Sequence, residues 1–172
     1  MTTARWASSS DRYLTPGQGD AWAAEAASTG QRGTQQLLDV ATVPAPADVA
    51  DALQLAAGEP VIRRRRLILA DDRPVELATS YYPVDIAADT PLAGTAKIRG
   101  GAVGLLAELG FRAQEAREEL MARTADAEEL GHLRLDPGAA VLVLSRTILD
   151  PNGRAYEHSV MVTTRPQRYV RT

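Results

Sequence analysis

Hydrophobic and polar residues alternate with a period of two in several segments of the chain, and this pattern predicts β-strands. From Thr34, the segment "TQQLLDVATVPAP" alternates until its prolines end it. Residues 61–83, "VIRRRRLILADDRPVELATSYYP", contain two such runs around the turn-forming "ADDRP", and "AAVLVLSRTILD" is joined to "RAYEHSVMVTT" by "PNG". Short polar connections of this kind are typical of hairpins, so we expect two β-hairpins in a mainly antiparallel sheet.

Helical spacing of apolar residues appears in shorter segments between these strands. "PADVADALQL" has a proline in its first turn, and "GGAVGLLAELG" places its apolar residues on one stripe between glycines. A further short helix is predicted near "DAWAAEAAS". Strands and helices in this order predict an α+β domain.

The segment "FRAQEAREELMARTADAEELGHLRL" has two interpretations. Its Ala, Glu, Arg and Leu content predicts one long helix. A helix-start signal at Thr124 or Asp126 instead indicates that a new element begins there. The local sequence leaves both interpretations open.

Length and composition favour one domain with a continuous core. The chain has 172 residues, of which 45% are hydrophobic. Residues 1–33, rich in Ser, Thr, Gly and Gln, are predicted to form an N-terminal arm, and residues 34–172 the ligand-binding domain. The net charge of −3 argues against a nucleic acid being bound by this chain itself.

Several kinds of chemistry are excluded by the residues that the chain lacks. It contains no cysteine, and its two histidines, His132 and His158, have no partners at the spacing of a catalytic triad or a zinc site. We therefore predict neither a metal nor a cofactor. No apolar run has the length of a signal peptide or a transmembrane span, which predicts a cytoplasmic protein that does not engage a membrane.

Four consecutive arginines, 63–66, occupy the first strand of the first hairpin. Alternation places Arg64 and Arg66 on one face and the other two on the opposite face. We predict that Arg66, nearest the apolar end, points inward, where a buried charge needs a partner such as Glu157 or Glu76. Arg63, Arg64 and Arg65 are predicted to be solvated or to lie at a dimer edge.

An ordered set of motifs suggests a family. G-E-P-V is followed by the arginine-leucine strand, A-D-x-x-P-V, S-Y-x-P and R-T-x-x-D-x-x-G-R-x-x-E. From about Thr34 to Tyr169 the chain resembles the UTRA domain, the effector-binding half of HutC-type regulators in the GntR family. The resemblance implies a chorismate-lyase-like fold with a six-stranded antiparallel sheet flanked by helices, and commonly a dimer formed through the sheet. It also implies a strand through "RAQEAREELMAR" and a helix only from about Ala125.

The resemblance also implies a ligand site. Sugar-phosphate-sensing members use an R-x-R pair, a hairpin glutamate, S-x-Y at a helix start, and a glutamate and a tyrosine on the last strand. The first arginine and the last glutamate are retained here, and the other positions are replaced by smaller or apolar residues. The implied ligand-binding residues are Arg66, Ile68, Ala78, Ser80, Gly101, Val103, Glu157 and Thr163.

Because a phosphate site needs several charge-assisted donors, these replacements predict a largely apolar ligand with one acidic or polar group. The start of the "GGAVGLL" helix either binds an anion or simply forms a turn.

Two functions remain open. The first is a small-molecule sensor domain of a GntR-type regulator, a homodimer that acts on DNA only through a winged-helix domain missing from this chain. The second is a standalone lyase or cyclase on the same fold, in which Arg66 orients an acid and Glu157 exchanges protons.

Overall fold

The computed structural model describes residues 6–8, 21–167 and 169–171, and most of the predicted arm, residues 1–5 and 9–20, lies outside them. The main sheet has six antiparallel strands, and all of them except the last along the chain are followed or preceded by a short helix. The strands are β2 (Gly33–Pro44), β3 (Pro60–Ala70), β4 (Arg73–Pro83), β5 (Glu115–Thr124), β6 (Ala140–Leu149) and β7 (Ala155–Thr163). Their order across the sheet is β2-β3-β4-β7-β6-β5, so the two predicted hairpins lie side by side at its centre.

Five helices and one 3-10 turn are described. They are α1 (Ala21–Ser28), α2 (Ala47–Leu53), α3 (Val84–Ala87), the 3-10 turn Pro91–Ala93, α4 (Gly101–Glu108) and α5 (Ala127–Leu133). Two short strands, β1 (Trp6–Ser8) and β8 (Tyr169–Arg171), pair with each other apart from the main sheet. The predicted α+β fold with a six-stranded antiparallel sheet is confirmed.

The first hairpin turns where its sequence predicts. Asp71 and Asp72 form the two-residue turn between β3 and β4, with φ of 48° and 63°. Both values lie in the left-handed region that a tight hairpin of this type requires and that Asp tolerates better than most residues. The strands then pair with Arg66 opposite Ala78 and Ile68 opposite Glu76.

Segment 115–133 forms a strand and a helix rather than one helix. β5 pairs with β6 over its whole length, from Glu115 opposite Leu149 to Thr124 opposite Ala140. Helix α5 then begins after Asp126, whose carboxylate accepts a hydrogen bond from the Glu129 amide, while the Glu129 carboxylate accepts one from the Asp126 amide. This capping box stops the helix from extending back into β5.

Each face of the sheet is covered by different helices. On the back face, α2 packs on Val61 and Leu149, and α5 packs on Leu67 and Val162. On the front face, α3, the 3-10 turn and α4 cover one end, and α1 covers the other. The covered apolar residues at the α4 end of the front face include Ile62, Tyr82, Leu92, Leu106, Ile148 and Tyr156.

Candidate functional site

A row of polar side chains crosses the front face in register from strand to strand. Arg64 lies opposite Ser80 on β4, Ser80 opposite Ser159 on β7, and Ser159 opposite Arg146 on β6. Glu118 on β5 completes the row opposite Arg146. Period-two alternation within each strand brings these side chains to one face because the strands are paired without a shift in this region.

Arg66 is connected to Glu157 through two serine hydroxyls. Its Nη2 donates to Ser80 Oγ at 3.2 Å, Ser80 Oγ lies 2.8 Å from Ser159 Oγ, and Ser159 Oγ donates to Glu157 Oε1 at 2.8 Å. Since the one Ser159 proton is directed at Glu157, Ser80 donates to Ser159. The predicted direct pairing of Arg66 with Glu157 was therefore wrong in its geometry, although both ends of the relay are the predicted residues.

The guanidinium of Arg66 is incompletely partnered. Its Nε, like that of Arg63 on the back face, is buried and has no hydrogen-bond acceptor among the described residues, and its Ser80 contact is long for a charged donor. Glu76, the other predicted partner, lies opposite Ile68 instead. A half-buried cation with an unused donor is a group that an anionic ligand can complete.

Arg64 is the arginine that sequence reasoning misplaced. It is 5% exposed, and its Nη1 donates to the carbonyl oxygens of Leu92 at 2.7 Å and Gly94 at 2.5 Å, with Pro91 at 3.3 Å. The prediction that it is solvated is wrong because the 3-10 turn folds over the front face and presents its carbonyl groups there. Burial, and to a smaller extent the charge of Arg66, lower the pKa of Arg64, while Tyr82 opposes this shift.

The two remaining arginines of the run lie on the back face. Arg63 pairs with Asp39 on β2, and Arg65 pairs with Glu128 on α5 at 2.6 Å. Both side chains are partly exposed, so these contacts resemble ordinary surface ion pairs.

Arg146 lies at the site, although it is not among the site residues predicted from the sequence. It is 8% exposed, and its Nε donates to Glu118 Oε1 at 2.9 Å. The signal was present, since Arg146 begins the R-T-x-x-D-x-x-G-R-x-x-E motif that ends at Glu157. Its inward direction follows only from the pairing of β6 with both β5 and β7.

A small cleft opens between α4 and the sheet beside these polar groups. Its enclosed volume is about 20 Å³, and the space reaches about 270 Å³ only when the open solvent at its mouth is counted. Arg146 and Glu157 form its polar side, and the remaining lining is mainly apolar: Val103, Leu106, Ala113, Ile148 and Tyr156. A space of about 20 Å³ holds about one water molecule, whereas drug-sized ligands occupy roughly 300–1,000 Å³, so a ligand must widen this cleft as it binds.

Other predicted site residues lie at the opposite end of the front face. Ile68 and Ala78 pack against Trp22 and Ala26 of α1, and are not exposed toward the cleft. Thr163 is fully buried, donates to the Val75 carbonyl oxygen at 2.9 Å, and accepts a hydrogen bond from the Arg165 amide. Gly101 begins α4, and an anion site at this helix start stays a prediction.

Glu76 is buried between these two ends. Burial raises the pKa of its carboxyl group, and the charges of Arg165, Arg66 and Arg146 oppose the shift. Electrostatically, Glu76 is therefore coupled to arginines at both the α1 end and the centre of the front face.

Within the parts of the chain that the structure describes, no group of three or more His, Asp or Glu side chains is arranged to hold a metal ion. In the same residues, no helix is long and apolar enough to cross a membrane. Both histidines lie away from the relay. His158 is buried on the back face, with Nδ1 2.9 Å from Thr147 Oγ1.

Comparison with known proteins identifies the domain. The family model of the UTRA domain matches residues 28–169. This chain belongs to the UTRA domain family. It is 36% identical over 135 residues to the uncharacterized HTH-type transcriptional regulator SCO4628 of Streptomyces coelicolor, a match that covers 76% of this chain and 50% of that protein. This UTRA domain thus spans about half the length of the curated relative.

Solved structures support the same assignment. The ligand-binding domain of a protein from Bordetella bronchiseptica assigned to the GntR family of transcriptional regulators superposes with a TM-score of 0.70 at 26% identity, covering 82% of this chain and 88% of that one. The effector domain of PhnF from Mycobacterium smegmatis has the same fold, with a TM-score of 0.71 at 20% identity, covering 84% and 88% of the two chains. The chain is a ligand-binding effector domain of the GntR-family type.

Proposed function

We propose that this domain senses a small molecule with one acid group, which binds over the Ser80–Ser159 pair between Arg66 and Arg146. The observation that carries this proposal is the unused, buried Nε of Arg66. A carboxylate placed there would accept charge-assisted hydrogen bonds, which are roughly twice as strong as neutral ones. The apolar part of the ligand would lie against α4 in the cleft lined by Val103 and Leu106.

The charge balance of the site supports one anionic group rather than a phosphate. Arg146 is already engaged by Glu118, and Glu157 accepts the end of the serine relay. A dianionic phosphate close to these carboxylates would meet about twice the repulsion that a single carboxylate meets. The apolar residues beside Arg146 in the cleft also suit an organic acid better than a sugar.

The regulatory role extends beyond this chain. We propose that it forms the sensing part of a homodimeric cytoplasmic regulator and that DNA is contacted by a winged-helix domain, not by the residues described above. The relative SCO4628 is an HTH-type regulator about twice as long as the matched region. For a ligand to change DNA affinity, it must bind one state of the dimer more tightly than the other.

The enzyme alternative has no support from the comparisons. In the structure, the Glu157 carboxylate already accepts the hydrogen bond of Ser159 at the end of the relay. We therefore propose binding, not catalysis, as the role of the Arg66–Glu157 relay.

The binding test uses hexanoate, a small acid with an apolar chain, and isothermal titration calorimetry. Arg66→Ala is expected to weaken hexanoate binding by about tenfold to a hundredfold, because a charge-assisted contact contributes roughly 1.5–3 kcal/mol. Arg65→Ala, which removes an arginine from the back face, is the matched control and should stay within twofold of wild type. Equal affinities for all three proteins, or no binding to any of them, would contradict the proposal.

A further inference from the structure

Helix α1 covers the end of the front face opposite the cleft. The indole of Trp22 is 7% exposed and packs with Ala26 against Ile68, Ala70 and Ala78. Its Nε1 donates to the Leu69 carbonyl oxygen at 2.9 Å. Ala78, a member of the same apolar cluster, lies directly opposite Arg66, so the cluster around the indole extends to the neighbour of the proposed acid site.

Two side chains of α1 converge on one arginine. The Arg165 guanidinium lies over the Trp22 ring, 4.3 Å from its centroid, and also forms an ion pair with Glu25. Trp22 and Glu25 are three residues apart, so both project from the same side of the helix. Together they present an aromatic ring and a carboxylate to the front face.

The same two groups are what an aromatic acid would present. The ring of such a ligand would gain the cation–π contact of Arg165, and its carboxylate would lie near the arginines that surround Glu76. Ile68 and Ala78, which the family resemblance assigns to the ligand, line the space that Trp22 occupies. The α1 end is therefore a continuation of the ligand site that is filled by the chain itself.

We infer that α1 is a built-in competitor at the effector site, and that an effector with an aromatic ring attached to an acid group displaces it. This inference rests on the proposed function, because it extends the same acid site toward α1. Displacement would move residues 21–28, which lie immediately before the UTRA match and overlap it only at its first residue, 28. It would thus convert binding on the front face into movement of the segment that precedes the domain.

Gly33 offers a way to loosen α1 without touching either end of the ligand site. A Cβ at this position would lie 2.9 Å from the Ala26 Cβ, the Trp22 Nε1 and the Trp22 carbonyl oxygen. Gly33→Ala must therefore push α1 away while leaving the indole in the chain. Gly131→Ala is the matched control, since Gly131 is an exposed residue of α5 with open space around it.

The experiment compares indole-3-acetate with hexanoate by calorimetry in the full chain. Trp22→Ala and Gly33→Ala are each expected to bind indole-3-acetate at least tenfold more tightly than wild type. Hexanoate affinity should stay within twofold in both, and Gly131→Ala should match wild type for both ligands. Because Gly33→Ala keeps the indole, a gain there cannot come from filling a cavity left by its removal.

A spectroscopic measurement follows α1 directly. With Trp6→Phe, Trp22 becomes the sole tryptophan of the chain and can be replaced by 5-fluorotryptophan. Saturating indole-3-acetate should move its fluorine resonance to the position seen in urea, whereas hexanoate should not.

The outcomes separate the two proposals. If hexanoate binds in an Arg66-dependent way but indole-3-acetate binds wild type, Trp22→Ala and Gly33→Ala equally, the competitor role of α1 is overturned and the acid site stands. An unmoved fluorine resonance at saturation has the same meaning. If Arg66→Ala leaves hexanoate binding unchanged, both proposals fail together.

Discussion

Four consecutive arginines of β3 have four different partners, although they differ little in sequence context. Arg63 and Arg65 pair with carboxylates on the back face, Arg64 donates to backbone carbonyl groups, and Arg66 begins the serine relay. Alternation predicts the two faces correctly because strand geometry is local. It does not identify partners, because the carbonyl groups that bind Arg64 come from the Pro91–Ala93 turn, which is distant in sequence.

Arg64 is therefore expected to be important for stability rather than for binding. Arg64→Ala would remove the donor of three carbonyl groups, of which that of Leu92 is buried, and leave a cavity under the 3-10 turn, which should lower the free energy of unfolding by about 2–4 kcal/mol. Arg63→Ala, a partly exposed ion-pair residue of the same strand, should cost less than about 1 kcal/mol. Urea unfolding of both variants checks the difference, and equal losses would contradict the assigned partners.

At the scale of secondary-structure elements, the sequence is most misleading where an element depends on its neighbours. Strand β5 has the composition of a helix, and most of its residues are exposed. It is a strand because β6 provides ten consecutive pairing positions and because Glu118 reaches Arg146 across them. Local propensity predicts neither the pairing with β6 nor the contact with Arg146, whereas the family resemblance predicts the strand.

Helix α1 shows the complementary case. Its existence was predicted from "DAWAAEAAS", and the structure confirms a helix at Ala21–Ser28. Its position over Ile68 and Ala78 was not predicted, since nothing in the local pattern shows which surface a short helix covers. Ile68 and Ala78, two of the replacements from which a largely apolar ligand was predicted, contact this helix instead.

A buried histidine beside helix α2 is expected to make the stability of the fold depend on pH. His158 on β7 is buried near it, with Thr147 at its Nδ1 and Tyr81 opposite it in register. Burial lowers the pKa of His158, and the nearby charge of Asp48 on α2 opposes this only in part. The unfolded chain therefore binds a proton at a higher pH than the folded chain does.

The stability that neutral His158 contributes should be fully present above the unfolded pKa of about 6.5 and lost as pH falls through the lower folded pKa. Urea unfolding at pH 7.5 and pH 5 should show a decrease for wild type. His158→Asn should make this decrease smaller, and His132→Asn, at a half-exposed position on α5, should not. If His158→Asn preserves the full decrease, other groups cause it.

At the scale of the whole molecule, the two edges of the sheet differ. β2 is partly covered because α1 packs against it at Gly33. β5 is exposed along nearly its whole length, and Leu120 and Met121 are 40% and 50% exposed. A long exposed edge strand with apolar side chains offers unpaired backbone groups to another strand, and natural proteins usually cover such edges.

We propose that the homodimer forms by pairing β5 with the β5 strand of a second copy of this chain. If two β5 strands pair in antiparallel fashion about Met121, residues whose numbers sum to 242 face each other, so Glu119 of each copy lies opposite Arg123 of the other. The pairing would bury Met121 against its equivalent and extend the six-stranded sheet into one of twelve strands. It would also leave the front face of each copy accessible to ligand.

The dimer proposal is therefore testable with one charge at the twofold axis. Met121→Glu would place two carboxylates opposite each other, which destabilises a strand pair, and it should convert the dimer to a monomer by sedimentation velocity. Leu109→Glu is the control, because Leu109 is a comparably exposed apolar residue, 42%, at the end of α4 and away from the edge. It should remain dimeric at the same concentration. A wild-type monomer, or a Met121→Glu dimer as stable as wild type, would exclude β5 as the interface and direct attention to β2 or to the helices.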